Sequence, residues 1–237
     1  MKKYTLLFFG ALTAHLSYGQ QTEISAHLTS GAANFRGSSV AGSSSIILSQ
    51  TAGSGPYTNN AYGSRIAFSY GVAGQVQRLT AGSRTLMGVQ AGYELLRSRV
   101  QIVSVVDRTN KLIPTAGKST LTNSFINVHP FFGHRFDFSN VDLDLTAGPE
   151  MGLLLHSQEK GEAVNLAGNR YTTSLGHDHP ELDIRFRANL TAQFQHVGVS
   201  LGYSYGLTNY RKSELGGTGE AYSQVFRVGL SYRLAEL

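Results

Sequence analysis

The stretch 182–210 constrains the fold more than any other. One parity carries Leu182, Ile184, Phe186, Ala188, Leu190, Ala192 and Phe194, and the other carries Asp183, Arg185, Arg187, Asn189, Thr191 and Gln193. Successive side chains of a strand point to opposite faces, so this alternation predicts a β-strand with one apolar and one polar face. The phase resets around His196. A second run follows, with Val197, Val199, Leu201, Tyr203, Tyr205 and Leu207 against Gly198, Ser200, Gly202, Ser204, Gly206 and Thr208. Two long strands joined by almost no loop form an antiparallel hairpin.

The two faces differ in kind. On the polar side, Asp183, Arg185 and Arg187 stand opposite a ladder of glycines and serines. Charged and small residues facing one another suit the inside of a narrow barrel. The smooth aliphatic and aromatic face would then meet lipid. The hairpin therefore reads as two staves of a transmembrane β-barrel.

The rest of the chain extends this reading. Lys2 and Lys3 precede an apolar run at 4–16, and Ser17 and Gly19 are small residues at −3 and −1 of a cut after Gly19. This predicts a cleaved signal peptide at 1–19 and one barrel domain at 20–237. With no Cys, neither a disulfide framework nor a lipid-modified N-terminal cysteine is available. The formal charge of +5 includes both signal lysines and is dispersed, which argues against nucleic-acid binding.

Alternation predicts eight strands in all. The first runs from about Thr22 to Arg36, with Glu23, Ser25, His27 and Thr29 on its polar face. A second covers 66–79. A third begins at Met87 and continues to about Val106, with a phase change after Arg97. A fourth centres on Ile126 to Gly133, where Pro130 predicts a bulge because proline cannot donate a ladder hydrogen bond. A fifth covers 141–156, with His156 on its inward parity. The hairpin supplies the sixth and seventh, and Phe226 to Leu234 the eighth. The intervening segments 37–61, 107–118 and 157–180 have loop composition. Long connections thus alternate with short ones, the pattern of an up-and-down barrel with extracellular loops, periplasmic turns and both termini in the periplasm.

Several segments resemble the porin-like and PorT-like outer-membrane β-barrel domain proteins of Bacteroidota. They are HLTSGAANFRGSS at 27–39, AGYELLRSRV at 91–100, INVHPFFGHRF at 126–136, GYSYGLTNY at 202–210 and FRVGLSYRL at 226–234. Many such proteins end on an aromatic residue read by the insertion machinery. This chain ends Leu234-Ala235-Glu236-Leu237, which leaves that role to Tyr232. The resemblance implies outer-membrane location and a barrel fold. It also implies contact with outer-membrane lipid, lipopolysaccharide and the assembly machinery, and a possible surface partner met through the extracellular loops. It does not imply an activity.

Chemistry concentrates on the inward parities. Glu94, Asp142, Asp144, Glu150 and Asp183 lie there with Arg135, Arg185, Arg187, Arg227 and Arg233. A charge inside a narrow barrel must be paired or wet. The residues proposed for a lumen network are Glu94, Asp142, Asp144, Glu150, Asp183, Arg185, Arg187 and Arg227. Such a network is either a gate of switching salt bridges or a static polar filling, and eight strands leave an interior only wide enough for side chains. His177-Asp178-His179 with His156 offers metal-ligand types, but nothing in their spacing puts them on one regular face. Gly117-Lys118-Ser119-Thr120 lacks the first glycine and the helix of a phosphate-binding loop. No nucleophile motif marks an enzyme, and no cofactor or metal is expected. A structural or surface-interaction protein, a narrow channel and a lipid-modifying enzyme are the three functional classes, in that order.

Overall fold

The computed structural model describes residues 20–48, 55–177, 180–212 and 219–237. The expected signal segment, together with Asp178 and His179, lies outside them. The described residues form eleven strands: β1 (Gln20–Arg36), β2 (Ser43–Ile47), β3 (Tyr57–Thr58), β4 (Arg65–Thr80), β5 (Thr85–Val106), β6 (Leu112–Phe138), β7 (Val141–Asn165), β8 (Arg170–Gly176), β9 (Leu182–Phe194), β10 (Val197–Gly206) and β11 (Tyr222–Glu236). Eight of them close a ring, in the order β1, β4, β5, β6, β7, β9, β10, β11. Every neighbouring pair is antiparallel, and β11 returns to pair with β1. Closure leaves these eight strands without an unpaired edge.

Three tight turns (81–84, 139–140 and 195–196) and both ends of the described chain share one end of the ring. There Gln20 pairs with Thr80, and the Thr22 amide donates to the Leu237 carbonyl at 2.8 Å. Arg84, Ser139 and Gln195 take positive φ in these turns. The longer connections gather at the other end.

Those longer connections are not the plain loops that their composition suggests. Segment 37–61 contains β2 and β3, and β2 pairs in parallel with β5. Segment 157–180 contains the rest of β7 and all of β8, paired as a hairpin. Segment 107–118 shrinks to the turn 107–111. In that turn the Asp107 Oδ1 accepts bonds from the Thr109 hydroxyl at 2.7 Å and the Lys111 amide at 2.9 Å. These bonds hold the Asp107 carboxyl below the usual carboxylate range, the Thr109 hydroxyl contributing most. A strand needs about 9–11 residues to cross a bilayer. β9 and β10 are 13 and 10 residues long, whereas β5, β6 and β7 are 22, 27 and 25. The excess forms a platform beyond the loop end of the ring.

Around the ring itself the outward face is apolar. Leu28, Phe68, Val72, Leu145, Phe186, Leu201 and Leu230 are among its exposed side chains. On the platform the chemistry inverts. Inward-facing Leu96, Val100, Ile102 and Leu121 are buried, and the outward positions beside them are Arg97, Arg99, Gln101, Thr120 and Thr122. The expected change of phase after Arg97 is therefore absent. Even-numbered residues of β5 stay inside from Leu86 to Ile102. Its register with β6 shifts between Ile102 and Ser104, and the shift against β4 between Ile66 and Tyr70 places the extra residue on β4 and leaves the phase of β5 unchanged. What changes near Arg97 is the polarity of the side chains that the strand turns outward.

Two further expectations are corrected. Pro130 does not make a bulge. Val128 pairs with Met151 and Phe132 with Ala147, four residues apart on each strand, so the register runs straight through. Pro130 lies opposite Pro149, where neither ring nitrogen can donate, and His129 Nδ1 lies 2.9 Å from the Pro149 carbonyl. The bulge sits instead at Leu155: Phe125 pairs with Leu154 but Ser124 with His156. It turns His156 outward and brings Ser157, Glu159, Gly161 and Ala163 inside. Deleting Leu155 removes the extra residue and makes Phe125–Leu154 and Ser124–His156 successive pairs, so Ser157 and Glu159 should stay inside. The expected result is a ring that assembles and a platform that resists trypsin as the wild type does. Platform cleavage at least tenfold faster would show that the bulged residue itself holds the platform in shape.

Candidate functional site: the charged lumen

Two ionic clusters fill the ring. The one nearer the platform unites Glu94, Glu150 and Asp183 with Arg185, Arg187 and Arg227, three charges of each sign. β9 delivers Asp183, Arg185 and Arg187 at successive inward positions, and β5, β7 and β11 supply the others. Arg227 Nη2 lies 2.8 Å from Glu94 Oε2 and 3.2 Å from Glu150 Oε2. Arg185 Nη1 lies 3.1 Å from Glu150 Oε2 and 3.3 Å from Glu94 Oε2, and its Nε donates to Asp183 Oδ2 at 2.8 Å. Arg187 Nη1 reaches Glu150 Oε1 at 3.2 Å. Neutral donors add to the shell. Ser204 bonds Glu150 at 2.9 Å, Asn127 bonds Glu94 at 2.8 Å, and Tyr210 and Ser223 bond Asp183 at 2.6 and 3.0 Å. Glu150, Asp183 and Arg185 are fully buried. Small residues opposite make this possible: a Cβ on Gly152 would come within 2.8 Å of Arg185 Nη2, and one on Gly202 within 2.6 Å of Asn189 Oδ1.

The second cluster lies toward the tight turns. Arg135 forks between Glu23, at 2.6 and 2.8 Å, and Asp144, at 2.6 and 2.8 Å. This bidentate geometry is the strongest form of an arginine–carboxylate contact. Gln77 also donates to Glu23, at 2.6 Å. Arg233 lies 3.4 Å from Glu23, and the half-exposed Asp142 lies 3.8 Å from Arg135. The eight residues proposed from sequence thus fall into two groups: Asp142 and Asp144 here, and the other six in the first cluster. The proposed network left out Arg135 and Arg233, which the sequence reading did place on inward parities, and it left out Glu23. Its place on the polar parity of β1 was the available signal.

Between the clusters lies a neutral layer that includes His27, Gln75, Gln90, His129 and Asn189. It encloses cavities of about 30 and 20 Å³, room for roughly one or two waters each. Above the first cluster an apolar plug begins. Phe35 packs edge-on against Tyr62 and Tyr210, at centroid distances of 5.2 and 4.8 Å, with Leu96, Leu121 and Phe125 around them. Tyr62 belongs to the long connection after β1, so that connection folds inward over the mouth. β2 adds Ile46 to a second apolar cluster with Val100, Ile102 and Val105. β3 is pinned at Thr58, whose amide donates to the buried Glu159 at 2.7 Å and whose hydroxyl donates to Ser119 at 2.8 Å.

Of the histidines considered as metal ligands, the two among the described residues, His156 and His177, face different sides of the sheet. His156 faces outward, whereas His177 Nε2 lies 3.3 Å from Glu159 on the inner side of β7. Among the described residues, no group of three or more metal-ligating side chains forms. Gly117 to Thr120 lies within β6, with Lys118 outward.

No protein-family model matches the chain, and no curated protein matches it. Among solved structures it is similar to Ail, the attachment invasion locus protein of Yersinia pestis, in complex with the heparin analogue sucrose octasulfate. The identity is 12% over 91% of this chain and 99% of that one, with a TM-score of 0.34. Neisserial surface protein A is 12% identical over 89% and 97% of the two chains, with a TM-score of 0.35. The translocator domain of the autotransporter NalP from Neisseria meningitidis is 12% identical over 99% and 95%, with a TM-score of 0.28. All three scores lie below 0.5, and the fold described above rests on the strand pairing alone.

Proposed function

We propose that this chain is a small outer-membrane β-barrel protein with a structural or surface-interaction role, neither a pore nor an enzyme. The inversion of the two faces along β5, β6 and β7 carries the reading. Apolar-outside and polar-inside is the pattern of a strand in lipid, and polar-outside and apolar-inside that of a strand in water. One continuous strand that shows both in turn crosses a bilayer boundary near Arg97. The tight turns and both termini then lie on the periplasmic side, and the platform is extracellular. The segments that resemble the porin-like and PorT-like barrels of Bacteroidota fit this placement, since AGYELLRSRV at 91–100 runs across the boundary.

The role follows from what fills the lumen and what caps it. Two ionic clusters, a neutral layer and an aromatic plug occupy successive levels of the ring. The platform, built from β2, β3, β8 and the long ends of β5–β7, is the ordered surface available to a partner outside the cell. The mature chain should fractionate with outer membranes and migrate differently on gels with and without boiling. In planar bilayers it should show little or no steady conductance. Recovery as a soluble periplasmic protein would refute the barrel. Large, stable open-pore currents would replace the interaction role with transport.

A further inference from the structure

Just beyond the apolar belt the outer face of β5, β6 and β7 turns basic. Arg99 pairs with Thr120 and Thr120 with Lys160, so these three form one row across three strands. Arg97, Thr122 and Gln158 form the next row toward the belt, and Lys118 faces outward two residues beyond Thr120. The Arg97 guanidinium lies 5.9 Å from the Tyr70 ring centroid. A shallow groove of about 440 Å³ runs between Arg97, Arg99 and Lys160 and ends against Phe68 of the belt. Among the described residues, no carboxylate forms an ion pair with Arg97, Arg99, Lys118 or Lys160. Arg170, farther out on β8, is paired with Glu162.

We propose that this strip binds the phosphate groups of an anionic lipid in the leaflet that surrounds the platform end of the ring. The proposal rests on the barrel reading and adds to it a ligand class and a site. Charge complementarity is the first argument, because Arg97, Arg99 and Lys160 stand together with no carboxylate among them, and the nearest, Glu162, lies one row farther out, opposite Lys118 and paired with Arg170. Continuity with the belt is the second. On the same strands and the same face, one row of Leu95, Ser124 and His156 separates the basic rows from Leu155, Ile126 and Leu153, so a lipid whose phosphates meet Arg97, Arg99 and Lys160 lays its acyl chains along these apolar residues. Strands are about 4.8 Å apart and alternate residues about 6.8 Å. The cations therefore span an area about 10 Å across, the width of one phosphorylated headgroup. Thr120 and Thr122 lie between them as neutral donors. A bare phosphate in solution would gain the charges but not the belt.

The test uses the whole mature chain in detergent micelles, titrated with diphosphoryl lipid A, with neutral phosphatidylcholine or with inorganic phosphate, and read by native mass spectrometry. The wild type should hold one lipid A in preference to phosphatidylcholine. Arg97→Gln/Arg99→Gln/Lys160→Gln should weaken that binding at least tenfold, since each cation near an anionic surface contributes roughly a fivefold factor. Arg108→Gln/Lys111→Gln, in the turn at the far end of β5, should bind as the wild type does. Arg99→Gln alone should give a smaller loss in the same direction, which keeps the test valid should the triple variant fail to fold. Equal lipid A binding by wild type and basic-strip variants would overturn the site, as would equal affinity for phosphatidylcholine or for inorganic phosphate. The gel shift of the same samples separates the two readings. A shifted, assembled barrel without selective binding removes the site and leaves the barrel, whereas loss of the wild-type shift removes the barrel itself.

Discussion

Glu150→Ala is expected to destabilise the ring by about 3–5 kcal/mol, the usual cost of removing one partner from a buried ionic group. Glu150 is fully buried and receives Arg185, Arg187 and Arg227 at 3.1 to 3.2 Å, together with the Ser204 hydroxyl at 2.9 Å. Without it, three guanidiniums share only Glu94 and Asp183. Arg187 is the member whose removal should compensate. Its contacts are Glu150 and the Asn189 side chain, whereas Arg185 and Arg227 also hold Glu94. Arg187→Ala alone should destabilise as well, because it leaves Glu150 with less compensation. The double variant Glu150→Ala/Arg187→Ala restores two charges of each sign. It should be less harmful than the sum of the single changes by about 0.5–3 kcal/mol, the range of coupling for residues in contact. Urea unfolding in micelles, followed by the loss of the unboiled gel form, measures all three. Strict additivity would show that the cluster is not one electrostatic unit.

Leu201→Arg carries the second large effect. Leu201 points outward from the middle of β10, beside Leu190 of β9 and Val228 of β11. A guanidinium at mid-bilayer depth on a barrel costs about 2–4 kcal/mol, and close to the interface about 0–1 kcal/mol. Gln158→Arg is the matched control, since it also points outward but lies beyond the belt on β7. The folded fraction recovered in phosphatidylcholine vesicles should fall sharply for Leu201→Arg and hardly at all for Gln158→Arg. Equal losses would refute the boundary placed near Arg97. An arginine in the lumen is not a mild alternative. Thr146 is buried beside a cavity of only about 30 Å³, so Thr146→Arg overpacks the interior.

The parity of β4, β9, β10 and β11, the polar lumen, the apolar belt and the tight turns were legible in the sequence. A strand between two media reports both of them at period two, and the hairpin from Leu182 to Gly206 repeats that signal over two dozen residues. Tertiary structure alone decided the platform. β5 keeps its backbone phase while the side chains it turns outward change from apolar to polar, so the same alternation reads as a break at Arg97. Segments 37–61 and 157–180 look like loops because their strands bury residues against one another and against the mouth of the ring, contacts that composition does not encode. The register at Pro130 was equally hidden, because it depends on Pro149 arriving opposite from another strand. Sequence also nominated the lumen charges without pairing them. Glu94 and Arg227 are 133 residues apart, and Glu23 meets Arg135 across the ring. Which carboxylate meets which guanidinium is set by the relative heights of the strands, and those heights are fixed only when β11 closes on β1.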